Sequence, residues 1–169
     1  MPFDSLPKVK SSFKGGYSMR LSTASEIISF AKRLEMDSAE FYRILAENYT
    51  DDGAFWLSFA DENGKNVMQI ERAYYGVISD AIEGCFAFNI DPDQYTFDAK
   101  LTERPSYNRA LIQARGAEEK IIKFYLDAAQ QSRSLMADVP RAFEMVARKR
   151  AKRLAKLDSL ISDKGARYV

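Results

Sequence analysis

Leu34-Glu35-Met36-Asp37-Ser38-Ala39-Glu40-Phe41-Tyr42 is the stretch from which the fold of this 169-residue chain is predicted. Apolar or small residues recur through it at steps of three and four, as on the inner face of an amphipathic helix. The full stripe is Ile27, Ala31, Leu34, Ser38, Phe41, Tyr42 and Leu45. Glu35 falls inside that stripe, so the sequence predicts a carboxylate within the core.

The same arrangement occurs a second time, in Ala117-Glu118-Glu119-Lys120-Ile121-Ile122-Lys123-Phe124-Tyr125. Glu118 lies within another apolar stripe, and a Phe-Tyr pair again follows the acid. In both copies the tyrosine comes seven residues after the glutamate (42 minus 35 and 125 minus 118). The repeat predicts two equivalent halves, each of which contributes one buried acid.

Helix start signals divide the chain into four helices. Thr23 with Glu26 forms a capping box, Ser106 can cap the third helix, and Asp138 can cap the fourth ahead of a first-turn proline. Residues 84–105 lose the helical period, and such a link is long for neighbouring antiparallel helices. The link therefore predicts a crossover between the two ends of a bundle. The predicted helices cover about 23–48, 54–83, 106–131 and 138–165.

Polar pairs interrupt the apolar stripes of the second and fourth helices. Asn63 and Asn66 interrupt the second, and Arg150 and Arg153 interrupt the fourth at the same spacing, 87 residues later. Two antiparallel helical hairpins joined by a long crossover predict an all-α, ferritin-like four-helix bundle. Its predicted parts are an N-terminal arm (1–22), the bundle (23–165) and a C-terminal tail (166–169).

Composition restricts the function. The chain has no histidine, which removes imidazole chemistry and with it most zinc hydrolases and catalytic triads. A single cysteine, Cys85, excludes an intrachain disulfide framework and suits a reducing compartment. There is no signal-peptide pattern and no run of about 18 apolar residues. We therefore expect a soluble, cytoplasmic protein with no membrane partner.

With these residues in place, the chain resembles the rubrerythrin-like branch of the ferritin-like superfamily over residues 23–163. Active members of that family are carboxylate-bridged di-iron proteins. The first and third helices each supply one glutamate, and the second and fourth each supply a Glu-x-x-His pair. The resemblance rests on Glu35 through Phe41-Tyr42, Glu118 through Phe124-Tyr125, Phe59-Ala60 and Val146-Ala147.

Only the two lone glutamates of the family site carry over, as Glu35 and Glu118. Where the family has Glu-x-x-His, this chain has Asn63-Gly64-Lys65-Asn66 and Arg150-Ala151-Lys152-Arg153. An asparagine oxygen is a weak neutral ligand, and a guanidinium has no lone pair to donate. Four of the six ligands that the resemblance implies are absent, so we expect a degenerate di-iron site.

The charges of this remnant metal pocket cancel without a metal, because two arginines balance two glutamates. We predict a bidentate pair between Arg150 and either Glu118 or Glu35. Tyr42 and Tyr125 lie on the same stripes and could donate hydrogen bonds to the cluster. The function that follows is that of a non-catalytic structural or interaction protein with no cofactor.

Two alternatives are open. The first is an iron- or manganese-dependent oxidoreductase or peroxidase of the rubrerythrin type, with the non-standard ligands Glu35, Glu118, Glu62 and Asn63. The second is anion or nucleic-acid binding through the fourth helix, which carries a basic run over residues 148–153 and then Lys156. This run has no interleaved aromatics for stacking on bases, which disfavours nucleic acid.

The predicted assembly is a homodimer. Its expected contact surfaces are the N-terminal arm and the aromatic residues of the crossover. These aromatics are Phe86, Phe88, Tyr95 and Phe97. The methionines Met36, Met68, Met136 and Met145 are expected to fill the core.

Overall fold

A computed structural model describes residues 19–76, 86–101, 103–134 and 138–165 of the chain. Its described part is a bundle of four long helices with one short two-stranded sheet. The helices are α1 (Ala24–Asn48), α2 (Gly53–Tyr75), α3 (Tyr107–Ser132) and α4 (Val139–Gly165). The prediction of an all-helical bundle is confirmed, and the sheet is an addition to it.

Two of the caps predicted from the sequence, Thr23 and Ser106, begin their helices where expected. Thr23 Oγ1 accepts a hydrogen bond from the Glu26 amide at 3.2 Å, and the Glu26 carboxylate accepts one from the Thr23 amide at 3.0 Å. Ser106 Oγ accepts from the Arg109 amide at 3.3 Å. These bonds satisfy amides that a helix start otherwise leaves without partners.

The second helix departs from its prediction at its carboxyl end. α2 ends at Tyr75, where Gly76 donates its amide to the Arg72 carbonyl oxygen at 3.1 Å. The predicted end at Glu83 lies outside the described residues, as does Cys85.

Contacts between helices give the direction of each one. In the first hairpin, Lys32 pairs with Glu71 and Tyr42 stacks on Trp56, so α1 and α2 are antiparallel. In the second hairpin, contacts of Arg115 with Asp158 and of Arg133 with Glu144 make α3 and α4 antiparallel. Each hairpin therefore pairs helices that are consecutive in the sequence.

The two hairpins also meet in opposite directions. Glu35 and Tyr42 of α1 contact Tyr125 and Glu118 of α3, respectively, so α1 and α3 are antiparallel. Because α1 is antiparallel to both α2 and α3, the last two run the same way. The chain must therefore travel the length of the bundle between α2 and α3, as the long link predicted.

A two-stranded antiparallel sheet ties the start of the chain to this crossover. Strand β1 (Leu21–Thr23) pairs with β2 (Phe86–Ile90), with Leu21 opposite Ile90. The sheet was not predicted, and the boundary of the predicted arm at residue 22 falls inside β1. Residues 1–18 of that arm and the predicted tail 166–169 lie outside the described residues.

The described crossover aromatics pack on the protein's own core, so these side chains are not free to form the expected dimer surface. Phe88 and Tyr95 are buried, and Phe97 is partly buried against both apolar clusters of the bundle. The Tyr95 hydroxyl donates to Asp127 of α3 at 2.7 Å. The side chain of Phe86 lies outside the described part.

The methionine prediction is also wrong. Met36, Met68 and Met145 are 65%, 60% and 42% exposed, and Met136 lies outside the described residues.

No described helix has the length and apolarity needed to cross a bilayer.

The core consists of two apolar clusters with a polar layer between them. One cluster joins the first half of α1 to the second half of α3 and the start of α4. The other joins the second half of α1 to the starts of α2 and α3. The glutamates predicted to be buried lie between these clusters, at mid-height of the bundle.

Candidate functional site

The polar layer gathers side chains from all four helices and excludes water from them. Every member is between 0% and 2% exposed. Groups this deeply buried need hydrogen-bond or ionic partners within the protein. The members are Glu35, Ser38, Asn63, Asn66, Glu118, Arg150 and Arg153, with Tyr42 and Tyr125 at its edges.

Arg150 lies at the centre of the layer and bridges the two acids. Its Nε and Nη2 donate to the two oxygens of Glu35 at 3.0 and 2.8 Å, and its Nη1 donates to Glu118 Oε1 at 2.7 Å. The predicted bidentate contact is present, with Glu35 as the bidentate partner. Burial disfavours the charge on Arg150, but the attraction of Glu118 and Glu35 outweighs it. The pKa of this guanidinium is therefore raised well above its ordinary value.

The two tyrosines link the halves reciprocally. Tyr42 of the first half donates to Glu118 Oε1 of the second, and Tyr125 of the second donates to Glu35 Oε1 of the first at 2.7 Å. Burial, together with the negative charge of the neighbouring carboxylate, raises the pKa of both hydroxyls well above 10. Both tyrosines therefore remain neutral donors wherever the fold is intact.

Ser38 is a member of the layer that sequence reasoning placed only in the apolar stripe. Its Oγ donates to the Leu34 carbonyl oxygen at 2.7 Å and accepts from Asn63 Nδ2 at 2.7 Å and Arg150 Nη2 at 2.9 Å. Asn63 Nδ2 also donates to the carbonyl oxygen of Glu35 at 2.9 Å. The position of Ser38, one turn after Glu35 on the same face, was the available signal.

Arg153 joins the layer to the surface. Its Nε donates to Glu62 Oε2 at 2.7 Å, and its Nη1 donates to Asn63 Oδ1 at 2.6 Å and more weakly to Glu118 Oε1 at 3.5 Å. The guanidinium also lies 5.1 Å from the centre of the Phe59 ring. Since the Glu62 side chain is 35% exposed, this ion pair marks the outer edge of the layer.

Three buried atoms of the layer have no hydrogen-bond partner among the described residues: Glu118 Oε2, Asn66 Oδ1 and Arg153 Nη2. The other side of Asn66 is paired, because its Nδ2 donates to Glu35 Oε2 at 3.3 Å. Two of these atoms accept hydrogen bonds and one donates them. The layer therefore has two hydrogen-bond acceptors and one donor that its own side chains do not satisfy.

The oxygen atoms of this layer that could ligate a metal do not fit the di-iron centre that the resemblance implies. Both oxygens of Glu35 and one of Glu118 accept from Arg150, so only Glu118 Oε2 is unpaired. Arg153 takes up one carboxylate oxygen of Glu62 and the amide oxygen of Asn63, both of which the metal-binding alternative needs. The described residues contain no group of three or more His, Cys, Asp or Glu placed to hold a metal. A dication would have to displace a guanidinium from between two acids.

Comparisons with protein-family models, with curated proteins and with solved structures found no match. The site is therefore interpreted from its own chemistry.

The tyrosines give a pH prediction. Their pKa values are raised in the folded state, so the folded protein binds more protons than the unfolded chain above about pH 10, and stability falls as pH rises. Replacing both tyrosines by phenylalanine (Y42F/Y125F) removes their contribution to this pH dependence. Between about pH 10 and 11, the unfolding free energy of the native protein should fall faster than that of the variant, by up to about 1.4 kcal/mol per pH unit for each tyrosine. Urea titrations at several pH values measure the two slopes, and parallel slopes would contradict the prediction.

Proposed function

We propose that this chain is a metal-independent member of the rubrerythrin-like branch of the ferritin-like superfamily, acting as a structural or interaction protein without catalysis of its own. The repeated Glu and Phe-Tyr positions support the ancestry, as does the crossover between two antiparallel hairpins. In this proposal the polar layer is the former di-iron site, with Asn63, Asn66, Arg150 and Arg153 in place of metal ligands.

The observation that carries the proposal is the bridge that Arg150 makes between Glu35 and Glu118. A carboxylate pair in an apolar core needs a compensating cation, since each unpaired charge destabilises the fold by several kcal/mol. A guanidinium supplies that cation permanently because it stays protonated at all physiological pH values. The protein then folds without depending on metal supply.

Two further expectations from the sequence stay predictions: the homodimer and the cytoplasmic location. Phe88, Tyr95 and Phe97 do not support the homodimer, because they pack on the core of their own chain.

Metal analysis tests the proposal. Protein purified without chelators from cells supplied with iron and manganese should contain less than about 0.1 ion of either metal per chain. Excess Fe²⁺ or Mn²⁺ should leave the melting temperature unchanged, because a ligand stabilises only the state that binds it. About two ions per chain that survive dialysis and raise the melting temperature would instead overturn the proposal and favour the metal-dependent alternative.

A further inference from the structure

A cleft between α2 and α4 concentrates positive charge on a nearly neutral protein. Its volume is about 480 Å³, and its lining includes the side chains of Lys65, Lys149, Lys152, Lys156 and Arg153. The whole chain has a net charge of +1. This cleft therefore carries more positive charge than the protein as a whole.

The acids of the cleft do not neutralise it. Glu62 is engaged by Arg153, and Asp61 is the other acid of the lining, so five cations face two anions. Lys65, Lys152 and Lys156 have no ion-pair partner within the described ranges. A concave surface of one sign attracts counter-ions more strongly than a flat surface with the same charges.

A fixed positive charge lies at the buried side of the cleft. Arg153 is 2% exposed and is held by Glu62 through Nε and by Asn63 through Nη1. The lysines at the rim can follow a ligand, whereas Arg153 is held in place.

We propose that this cleft binds a small phosphate-bearing anion, with the lysines as its donors and the positive charge of Arg153 behind them. A phosphate group offers several oxygens to several ammonium groups at once. The aromatic residue of the lining, Phe59, is 3% exposed and offers no platform for stacking nucleobases, which favours a small anion over a nucleic-acid strand.

Calorimetric titration of the full chain with inorganic pyrophosphate at low salt tests the proposal with two matched pairs of variants. Lys152→Glu reverses a charge in the cleft. Arg148→Glu makes the same change one turn away on α4, outside the lining. Lys152→Glu should weaken binding about tenfold, and Arg148→Glu clearly less, because its side chain lies farther from the bound anion. Asp61→Asn should tighten binding because it removes a negative charge from the cleft. Glu40→Gln should not, since Glu40 lies with Asp61 in a separate groove between α1 and α2 but does not line the cleft.

Three outcomes would overturn the proposal. One is the absence of measurable pyrophosphate binding at low salt by the native chain. Another is equal weakening by Lys152→Glu and Arg148→Glu, which would indicate attraction to the overall basic surface of α4. The third is tighter binding of a single-stranded oligonucleotide than of pyrophosphate with the same dependence on both residues, which would make the site a nucleic-acid surface. Circular dichroism of each variant establishes that the fold is retained.

Discussion

Arg150→Leu is expected to lower the free energy of unfolding by about 3–5 kcal/mol, the range for removing one partner of a buried ion pair. The substitution leaves the carboxylate of Glu35 without a cation and that of Glu118 with only the 3.5 Å contact of Arg153, between two apolar clusters. The remaining donors to Glu35, Tyr125 and Asn66, are neutral and cannot replace the lost charge. Urea unfolding followed by circular dichroism measures the loss.

The control is Arg148→Leu, two residues away on the same helix. Its side chain is 76% exposed and its contact with Glu144 is long, at 3.8 Å, so its loss should change stability by less than about 0.5 kcal/mol. Adding Glu35→Gln and Glu118→Gln to Arg150→Leu should recover most of the lost stability, because no buried charge then lacks a partner.

An equal loss in the Arg148 and Arg150 variants would show that the central pair contributes little. A triple variant no more stable than Arg150→Leu alone would show that shape rather than charge is what matters at position 150.

The parts of the structure governed by local rules were predictable from the sequence. The capping residues Thr23 and Ser106 begin helices because their side chains satisfy free amides, a short-range effect that needs no tertiary information. Glu35 and Glu118 were identifiable because helical periodicity alone places them inside apolar stripes. The offset repeat then placed Arg150 against them.

Features that depend on long-range packing were missed. Strand β1 has three residues and exists because β2, more than sixty residues later, lies beside it. The burial of Phe88 and Tyr95 follows from where the crossover lies on the bundle, which its irregular sequence does not encode locally. The methionines were assigned to the core by residue type, but the angular position of Met36 and Met68 on their helices is on the solvent side.

The cleft between α2 and α4 was likewise predictable only in part. The basic run of α4 was visible in the sequence, and its interpretation as a solvated face or a binding surface depended on what faces it. Lys65 of α2 completes the cleft from another helix, and only the packing of α2 on α4 brings it there. Arg153 Nη2 likewise lacks a partner only because Glu62 and Asn63 bond to the other two nitrogens of the guanidinium, which is a tertiary contact.

Installing the ligands that the resemblance implies should convert the ion-paired layer into a metal site. The quadruple variant Asn63→Glu, Asn66→His, Arg150→Glu and Arg153→His gives each hairpin a Glu-x-x-His pair facing Glu35 and Glu118. The side chains now at these positions already contact those two acids or one another in the layer. Both arginines are longer than their replacements, so the exchange leaves room for ions.

This variant should be poorly folded without metal, because four carboxylates would share one buried layer. It should gain helical structure on binding about two Co²⁺ ions per chain, since the ions balance the four negative charges. Circular dichroism reports the folding, and visible Co²⁺ absorption reports the coordination. The matched control adds Glu35→Gln and Glu118→Gln to the same four changes, which removes two of the four carboxylates, and it should bind far less metal.

A quadruple variant that folds but binds no metal would remove the support for a ferritin-like ancestry while leaving the ion-paired core intact. The two ideas are separable because Arg150 stabilises Glu35 and Glu118 through charge and geometry, whatever the history of the site. Metal binding by the quadruple variant depends in addition on the four positions having the spatial arrangement of a di-metal centre. Together the stability series and the metal titration therefore distinguish a converted metal site from a bundle that acquired its polar layer independently.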